Sequence, residues 1–526
     1  MKNLFLKYPI EWIFSVLFIL LAVTLNLQFL DGSNINHTIA GHDEYIAVKE
    51  IYAILQPESA KHWIMAIISG NALYYGRILF YVDALFAAVP FWLFGIKGMV
   101  LTVRLIHSLF VLLALILLAK TFLEKPLHRL LFLIGTCCLY YSMYFIMMPK
   151  PEPHQLLCLA WFLNRFKKNE WTFTWHFIFL GIAYGLKFNL LLLLPLIFIV
   201  PVIKAGNIDF KKVILPGLKA FVFFLGGVII AIPCLILTPI KPIFLRTYLH
   251  ETFGSTEKLY DNVSLSVADW MTNGLGGAYL GWGILAMPFA FFVLYRLVVS
   301  VKRDYKNKEY SASLLLLSGF VLCLVIMLKT KRLWPHYLWT GYILLVLGLI
   351  VSISQAEGKK LKTALWTVIC LFIGSSFFFF LKRELPLYLN LSNSAETVNE
   401  RLWSNQAIDF VKTKYPESRI GTDGSILYPF EDFTAVDIYH PFEGTAPVRT
   451  NTRFYWYTDF PEKIWTDSND VLIFFKRHPE RMHKEHPNIY VGKHDTLYNL
   501  YLQNINQTYV RDTSFGEVVV YKKIAK

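Results

Sequence analysis

Ahead of the second apolar block of the sequence stands Gly41-His42-Asp43-Glu44-Tyr45, an acidic pair opening a segment in which Tyr45, Val48, Tyr52 and Leu55 recur at helical spacing. A carboxylate so placed can take a proton from a hydroxyl group. It can equally cap a helix, since Asp at an N-cap with Glu in the first turn satisfies free backbone N–H groups and the macrodipole whatever else the helix does. Cations stand at the ends of later apolar segments: Arg77 just inside one, Lys187 in mid-run, and Lys329, Lys331 and Arg332 between two others. Ionisable groups at membrane depth are costly and usually face a cavity or a counter-ion, although Arg77 and Lys329, close to segment ends, can also snorkel to the interface. Several cations near one acidic loop suit a phosphate held at a membrane face, with a carboxylate ready to accept a proton. Met148-Pro149-Lys150-Pro151-Glu152-Pro153-His154 holds charges at a segment boundary and reads as a turn, because its prolines oppose a helix. Asp83 and His107, inside apolar blocks, read as satisfied interior polar groups; no metal site and no cofactor is expected, though a divalent metal is not excluded.

The elements that must position these residues are membrane spans. Of 526 residues, 55% are hydrophobic and only 17% charged, where a soluble protein carries about 25% charged residues. After a first apolar run at about 12–29, blocks follow near 77–97, 99–119, 128–148, 153–165, 173–203, 216–238, 276–298, 311–328, 335–355 and 363–381. The run 173–203 exceeds one crossing of a hydrocarbon core about 30 Å thick, so a break is expected at Lys187-Phe188-Asn189. The helix opened by Asp43 is expected to lie along the membrane surface. Lys/Arg-rich loops at 120–129, 166–168, 204–212, 299–308 and 359–362 should be cytoplasmic. Met148–Glu152, Lys187, Lys329–His336 and everything beyond about Arg383 then fall on the other side. The count fails at the front: with a cytoplasmic N-terminus, two full crossings between residues 77 and 119 would leave 120–129 outside, so either one segment between 77 and 165 is half-spanning or that loop breaks the charge rule.

The net charge of +14 is dispersed among short loops, which suits positive-inside anchoring and not a nucleic-acid stripe; no nucleic-acid partner is expected. The six cysteines lie in or beside apolar segments without zinc or disulfide spacing. No HExxH, Walker A, GxSxG or GxGxxG motif stands in a usable context. From about Leu391 the composition turns mixed and polar, with strand-like runs at Asp470–Phe475 and Glu517–Tyr521. The expected fold is an all-α polytopic membrane domain of about 11–13 transmembrane helices, residues 1–385 with a first outer loop at 31–76, followed by an extracytoplasmic α/β domain at 386–526.

A first span, an outer loop with an acidic pair opening a helix, and a basic residue at the start of the next span resemble the GT-C-type integral-membrane glycosyltransferases, above all the lipid A aminoarabinose transferases and the protein O-mannosyltransferases. Gly41-His42-Asp43-Glu44 resembles their acidic loop motif, which places Asp43, with Glu44 beside it, at the catalytic position. Tyr74-Tyr75-Gly76-Arg77 falls where the aminoarabinose transferases carry an aromatic segment ending in Lys-Pro; here Arg77 replaces the lysine and no proline follows, and Tyr75 is a further site candidate. Gly181-Ile182-Ala183-Tyr184-Gly185-Leu186-Lys187 resembles a glycine-containing segment ending in lysine. Lys329-Thr330-Lys331-Arg332-Leu333-Trp334-Pro335-His336-Tyr337 resembles a later outer loop of lysines followed by proline and tyrosine, adding His336 and Tyr337. Glu152 matches the family's acidic residue near the prolines.

The resemblance implies transfer of a sugar, with inversion, from a polyprenyl-phosphate donor to a lipid A, protein or polysaccharide acceptor on the outer face of the membrane. Arg77, Lys187, Lys329, Lys331 and Arg332 would bind the donor phosphate. It implies a multi-pass protein of the inner membrane, N-terminus cytoplasmic and C-terminal domain periplasmic, in which Tyr428, Trp456, Tyr457 and Trp465 could stack on sugars. A transporter or flippase for a lipid-linked glycan would show internal repeats with paired broken helices, and none is seen. An O-antigen polymerase or ligase would carry cations in a large outer loop but needs no acidic pair in the first.

Overall fold

The computed structural model describes residues 9–28, 42–57, 59–68, 76–206, 209–236, 266–329, 335–390, 395–423, 426, 433, 436–438, 469–475 and 507–524. Apolar runs bounded by charged loops become helices because a chain in lipid must satisfy its backbone groups internally. Among the described residues six helices are long and apolar enough to cross a membrane, and the bent pair Pro126–Cys137 and Tyr140–Met147 (67°) makes a further broken span. Shorter apolar helices, among them Phe177–Leu186, fill the bundle. One buried core, which includes Leu115, Phe145, Leu159 and Leu347, runs through most of these helices.

Helix Ile78–Phe122 bears on the uneven charge count. Forty-five residues of straight helix would extend about 68 Å, more than twice a hydrocarbon core. The chain instead reverses at Gly95, whose φ of 64° and ψ of −154° belong to a region essentially closed to side-chain-bearing residues. Asp83 and His107, equally far in sequence from Gly95, lie 2.9 Å apart, where a straight helix would separate them by about 36 Å. Phe86 and Phe110 meet at 6.5 Å between ring centroids, and a Cβ on Gly98 would strike the carbonyl of Pro90.

The second limb runs alongside helix Glu152–Lys168. His107 meets His154 near the start of that helix, ring centroids 4.6 Å apart, and Thr121 meets Asn164 near its end at 3.2 Å. The reversal at Gly95 therefore points beyond the Glu152 end of the bundle. Two spans were expected over 77–119; the second limb runs the length of helix Glu152–Lys168, and the first runs back beside it from Gly95. At the opposite end Lys167 Nζ donates to the Thr121 carbonyl at 3.1 Å, Arg129 pairs with Glu11 at 2.6 Å and Lys204 with Glu170 at 3.2 Å, so the basic loops at 120–129, 166–168 and 204–212 share one end.

A Cβ at Gly95 would meet nothing within 4 Å, so Gly95→Ala isolates the backbone cost of the reversal. Thermal unfolding in detergent should show a loss of about 1–3 kcal/mol. A variant as stable as the parent would mean that the reversal does not rest on this conformation.

The break expected at Lys187 is present: helix Phe177–Leu186 ends, Lys187 is extended, and a 3₁₀ turn leads into helix Leu193–Ala205. The proline cluster at 149–153, expected as a turn, instead opens a helix, with Pro151 at the N-cap and Pro153 in the first turn, where a missing N–H costs nothing.

The C-terminal domain holds strands β1 (Ile420–Asp423), β2 (Val436–Ile438), β3 (Val471–Phe475), β4 (Tyr509–Phe515) and β5 (Val518–Lys523) in the order β2-β1-β3-β5-β4. β1 is parallel to β2 and β3, while β5 is antiparallel to β3 and β4. Ala407, Ile408 and Val411 of helix Ala395–Lys414 pack on Ile420, Val471, Ile473, Val518 and Val520, the buried face of the sheet.

Candidate functional site

The acidic loop forms helix His42–Leu55, with Asp43 in its first turn; the Asp43 side chain lies outside what the structure describes. Of the stripe expected to rest on the membrane surface, Val48 and Tyr52 are packed inside the protein. Val48 and Ile51 are fully buried, and Tyr52 meets Phe91 of the hairpin edge-on at 5.7 Å. Two acidic residues on the same helix explain the difference, because Glu44 and Glu50 each find a cation. Glu44, with no exposed surface, accepts two hydrogen bonds of 2.6 Å from Arg104. Glu50 accepts one of 2.8 Å from Arg77, whose other nitrogen donates to the Ala66 carbonyl while its guanidinium covers Phe80.

Lys187 lies at the end of the bundle toward which Gly95 points. Its ammonium bonds to Glu152, itself 2% exposed, and sits 4.4 Å from the centre of the Tyr337 ring. Gln155, one turn beyond Glu152 and fully buried, donates through Nε2 toward the carbonyls of Lys187 (2.7 Å) and Ala183 (2.9 Å) and toward Asn189 Oδ1 (3.0 Å). One amide thus satisfies the carbonyls freed where the helix stops, and fixes the extended residue that aims Lys187.

Aromatic rings continue this surface. His336 stacks on Tyr144 at 5.9 Å and touches Tyr337 at 4.4 Å, and Lys150 lies 5.3 Å over the Tyr144 ring. Tyr141 stacks on Tyr279, whose hydroxyl donates to the Pro335 carbonyl at 2.7 Å. Residues from the proline turn, from the break at Lys187 and from the loop before helix Trp339–Ser354 therefore converge.

The structure brings together Glu152, Lys187, His336 and Tyr337 of the residues expected from sequence. It holds Glu44 and Arg77 in separate buried ion pairs. These are joined to the Lys187 segment by the backbone, since the Gly76 N–H donates to the Leu186 carbonyl at 3.4 Å. Lys329 ends helix Ser311–Lys329 with its side chain outside the described region; Tyr75, Lys331, Arg332, Tyr428, Trp456, Tyr457 and Trp465 lie outside the described residues altogether. Sequence reasoning did not single out Arg104 or Gln155. The signal at Arg104 was an arginine inside an apolar block, which calls for a buried carboxylate; Gln155 carries none of comparable strength.

No protein-family model matches the sequence, and none of the curated proteins matches it. Among solved structures the chain is similar to ArnT from Cupriavidus metallidurans bound to undecaprenyl phosphate, with 12% identity, a TM-score of 0.55 and 98% of each chain covered. The apo form of the same protein gives a TM-score of 0.52 at 12% identity and the same coverage. The archaeal oligosaccharyltransferase AglB from Archaeoglobus fulgidus, in complex with an inhibitory peptide and a dolichol-phosphate, gives 0.50 at 13% identity, covering 99% of this chain and 75% of its own. The fold is thus that of ArnT and AglB, a membrane domain followed by a C-terminal domain.

Proposed function

We propose that the protein is a membrane glycosyltransferase that moves a sugar from a polyprenyl-phosphate donor to an acceptor hydroxyl at the outer face of the membrane. The observation that carries this is the convergence of Lys187, Lys150, His336 and Tyr337 at one end of a bundle with the fold of ArnT, a protein solved with undecaprenyl phosphate bound. A lipid-phosphate donor reaches such a site through the bilayer, so no nucleotide-binding motif is needed. The end holding Lys187 is assigned to the outer face because the basic loops collect at the other end, which leaves the N-terminus cytoplasmic and the C-terminal domain outside.

In this mechanism Asp43 accepts the proton of the acceptor hydroxyl as its oxygen attacks the anomeric carbon from the side opposite the phosphate. The bond from that carbon to the phosphate oxygen breaks, the configuration inverts, and the electron pair leaves on the lipid phosphate. Lys187 and Lys150 stabilise that charge, with Lys329, Lys331 and Arg332 as further donors from the neighbouring loop. Glu152 holds Lys187 in place until the phosphate arrives. Glu44 and Arg77 act as positioning residues: their ion pairs fix helix His42–Leu55, and with it Asp43, against the hairpin.

Lys187→Met keeps the length and apolar stem of the side chain and removes its charge. Binding of a polyprenyl phosphate in detergent should weaken about ten- to a hundredfold, since a charge-assisted contact is worth roughly 1.5–3 kcal/mol. Binding as tight as that of the parent would remove Lys187 from the phosphate site.

A further inference from the structure

Asp83, His107 and His154 stand apart from the ion pairs and the lysine cluster described above. They are 1%, 0% and 5% exposed, and three ligand-type atoms, one from each, lie within 4.8 Å of one another. His107 Nε2 is 2.9 Å from Asp83 Oδ2, and His154 Nε2 is 3.2 Å from Asp83 Oδ1. That second approach is not aligned as a hydrogen bond: both His154 Nε2 and Asp83 Oδ1 are buried without a hydrogen-bond partner. Arg104, one turn before His107, is engaged by Glu44 and Lys187 by Glu152, and among the described residues the ion-pair partners of the Asp83 carboxylate are these two imidazoles.

We propose that these three side chains bind one divalent transition-metal ion of the Zn²⁺ class. Two imidazole nitrogens and one carboxylate oxygen are a common donor set for such an ion, with metal–ligand distances near 2.0–2.2 Å. Tetrahedral geometry at those distances separates neighbouring ligand atoms by about 3.4 Å, and the three ligand-type atoms here lie within 4.8 Å of one another. A cation there neutralises a carboxylate that burial would otherwise leave costly. The site joins three pieces of chain: Asp83 from one limb of the hairpin, His107 from the other, and His154 from the helix that begins at Glu152. The ion acts as a clasp that holds the hairpin closed and fixes the start of the helix bearing Glu152.

The test needs no sugar donor, so its failure is distinct from failure of the transfer mechanism. Protein purified in detergent, stripped with a chelator and dialysed, is titrated with Zn²⁺ alone and with Co²⁺ alone. One tightly held equivalent per chain is expected, with visible d–d absorption for Co²⁺ and a higher thermal midpoint on loading; Asp83→Asn and His154→Phe should each abolish the retained equivalent. If either variant fails to fold, X-ray absorption of the Zn²⁺-loaded parent should report two imidazoles and oxygen ligands. The proposal is overturned if the stripped parent retains no equivalent, if the folded variants retain it undiminished, or if the absorption spectrum shows thiolate ligation.

Discussion

Asp43→Asn is expected to lower sugar transfer by a factor on the order of 10² to 10⁴, the usual contribution of a positioned general base, while leaving stability within a few tenths of a kcal/mol of the parent. Asn keeps the side-chain oxygen that accepts from the first N–H groups of a helix and ranks with Asp as a cap, but an amide cannot accept the proton of the acceptor hydroxyl. The substitution therefore separates two roles that one aspartate in the first turn of helix His42–Leu55 could fill. Transfer and thermal stability are measured on the same detergent preparation. A variant equally stable and fully active would make Asp43 a cap and nothing more.

The second large effect is on the fold. Arg104→Met removes a cation that gives Glu44, which has no exposed surface, two bonds of 2.6 Å. A buried carboxylate loses both bonds, and breaking a buried pair in this way costs about 3–5 kcal/mol. The double variant Glu44→Leu with Arg104→Met should recover most of that loss, because well-packed apolar residues often replace a buried ion pair with little penalty. Recovery measured by chemical denaturation marks Glu44 as an anchor of its helix. A single Arg104→Met variant with unchanged stability would show that the pair does not hold the helix His42–Leu55 against the hairpin.

Much of the membrane domain was legible in the sequence because length, hydropathy and positive charge leave few arrangements open. The break at Lys187 followed from an apolar run too long for one crossing, and the strands near Val471 and Val518 from short β-branched runs. Charge counting showed that full crossings throughout 77–165 conflict with the charge rule, yet not where the chain turns back. A lone glycine in an apolar block signals nothing about direction, and only its left-handed φ reveals that the chain turns back at Gly95. The packing of helix His42–Leu55 against the hairpin was hidden for a related reason: Glu44 and Glu50 look like a solvated face until Arg104 and Arg77 are seen to meet them.

The candidate site was legible in part. Lys187, Glu152, His336 and Tyr337 were chosen separately, from the cost of a cation at membrane depth and from motif likeness, and the fold gathers them. The pairing of Asp83 with His107 was invisible because it depends on the reversal between them. His154 joins them only because helix Glu152–Lys168 runs beside the second limb. Long-range contacts of this kind have no periodicity for a sequence to carry.

The most direct measurement of the proposed activity is transfer itself. Purified protein in detergent is incubated with polyprenyl-phosphate sugars carrying a radiolabel in the sugar, together with membrane extract as the source of acceptor. The expected result is label moved from at least one donor to a lipid, protein or polysaccharide product, with release of the polyprenyl phosphate and inverted anomeric configuration, and loss of that transfer in Asp43→Asn. Folded, active-form preparations that bind the donors but move label from none of them would contradict a glycosyltransferase and leave carriage of the lipid-linked sugar as the function to pursue.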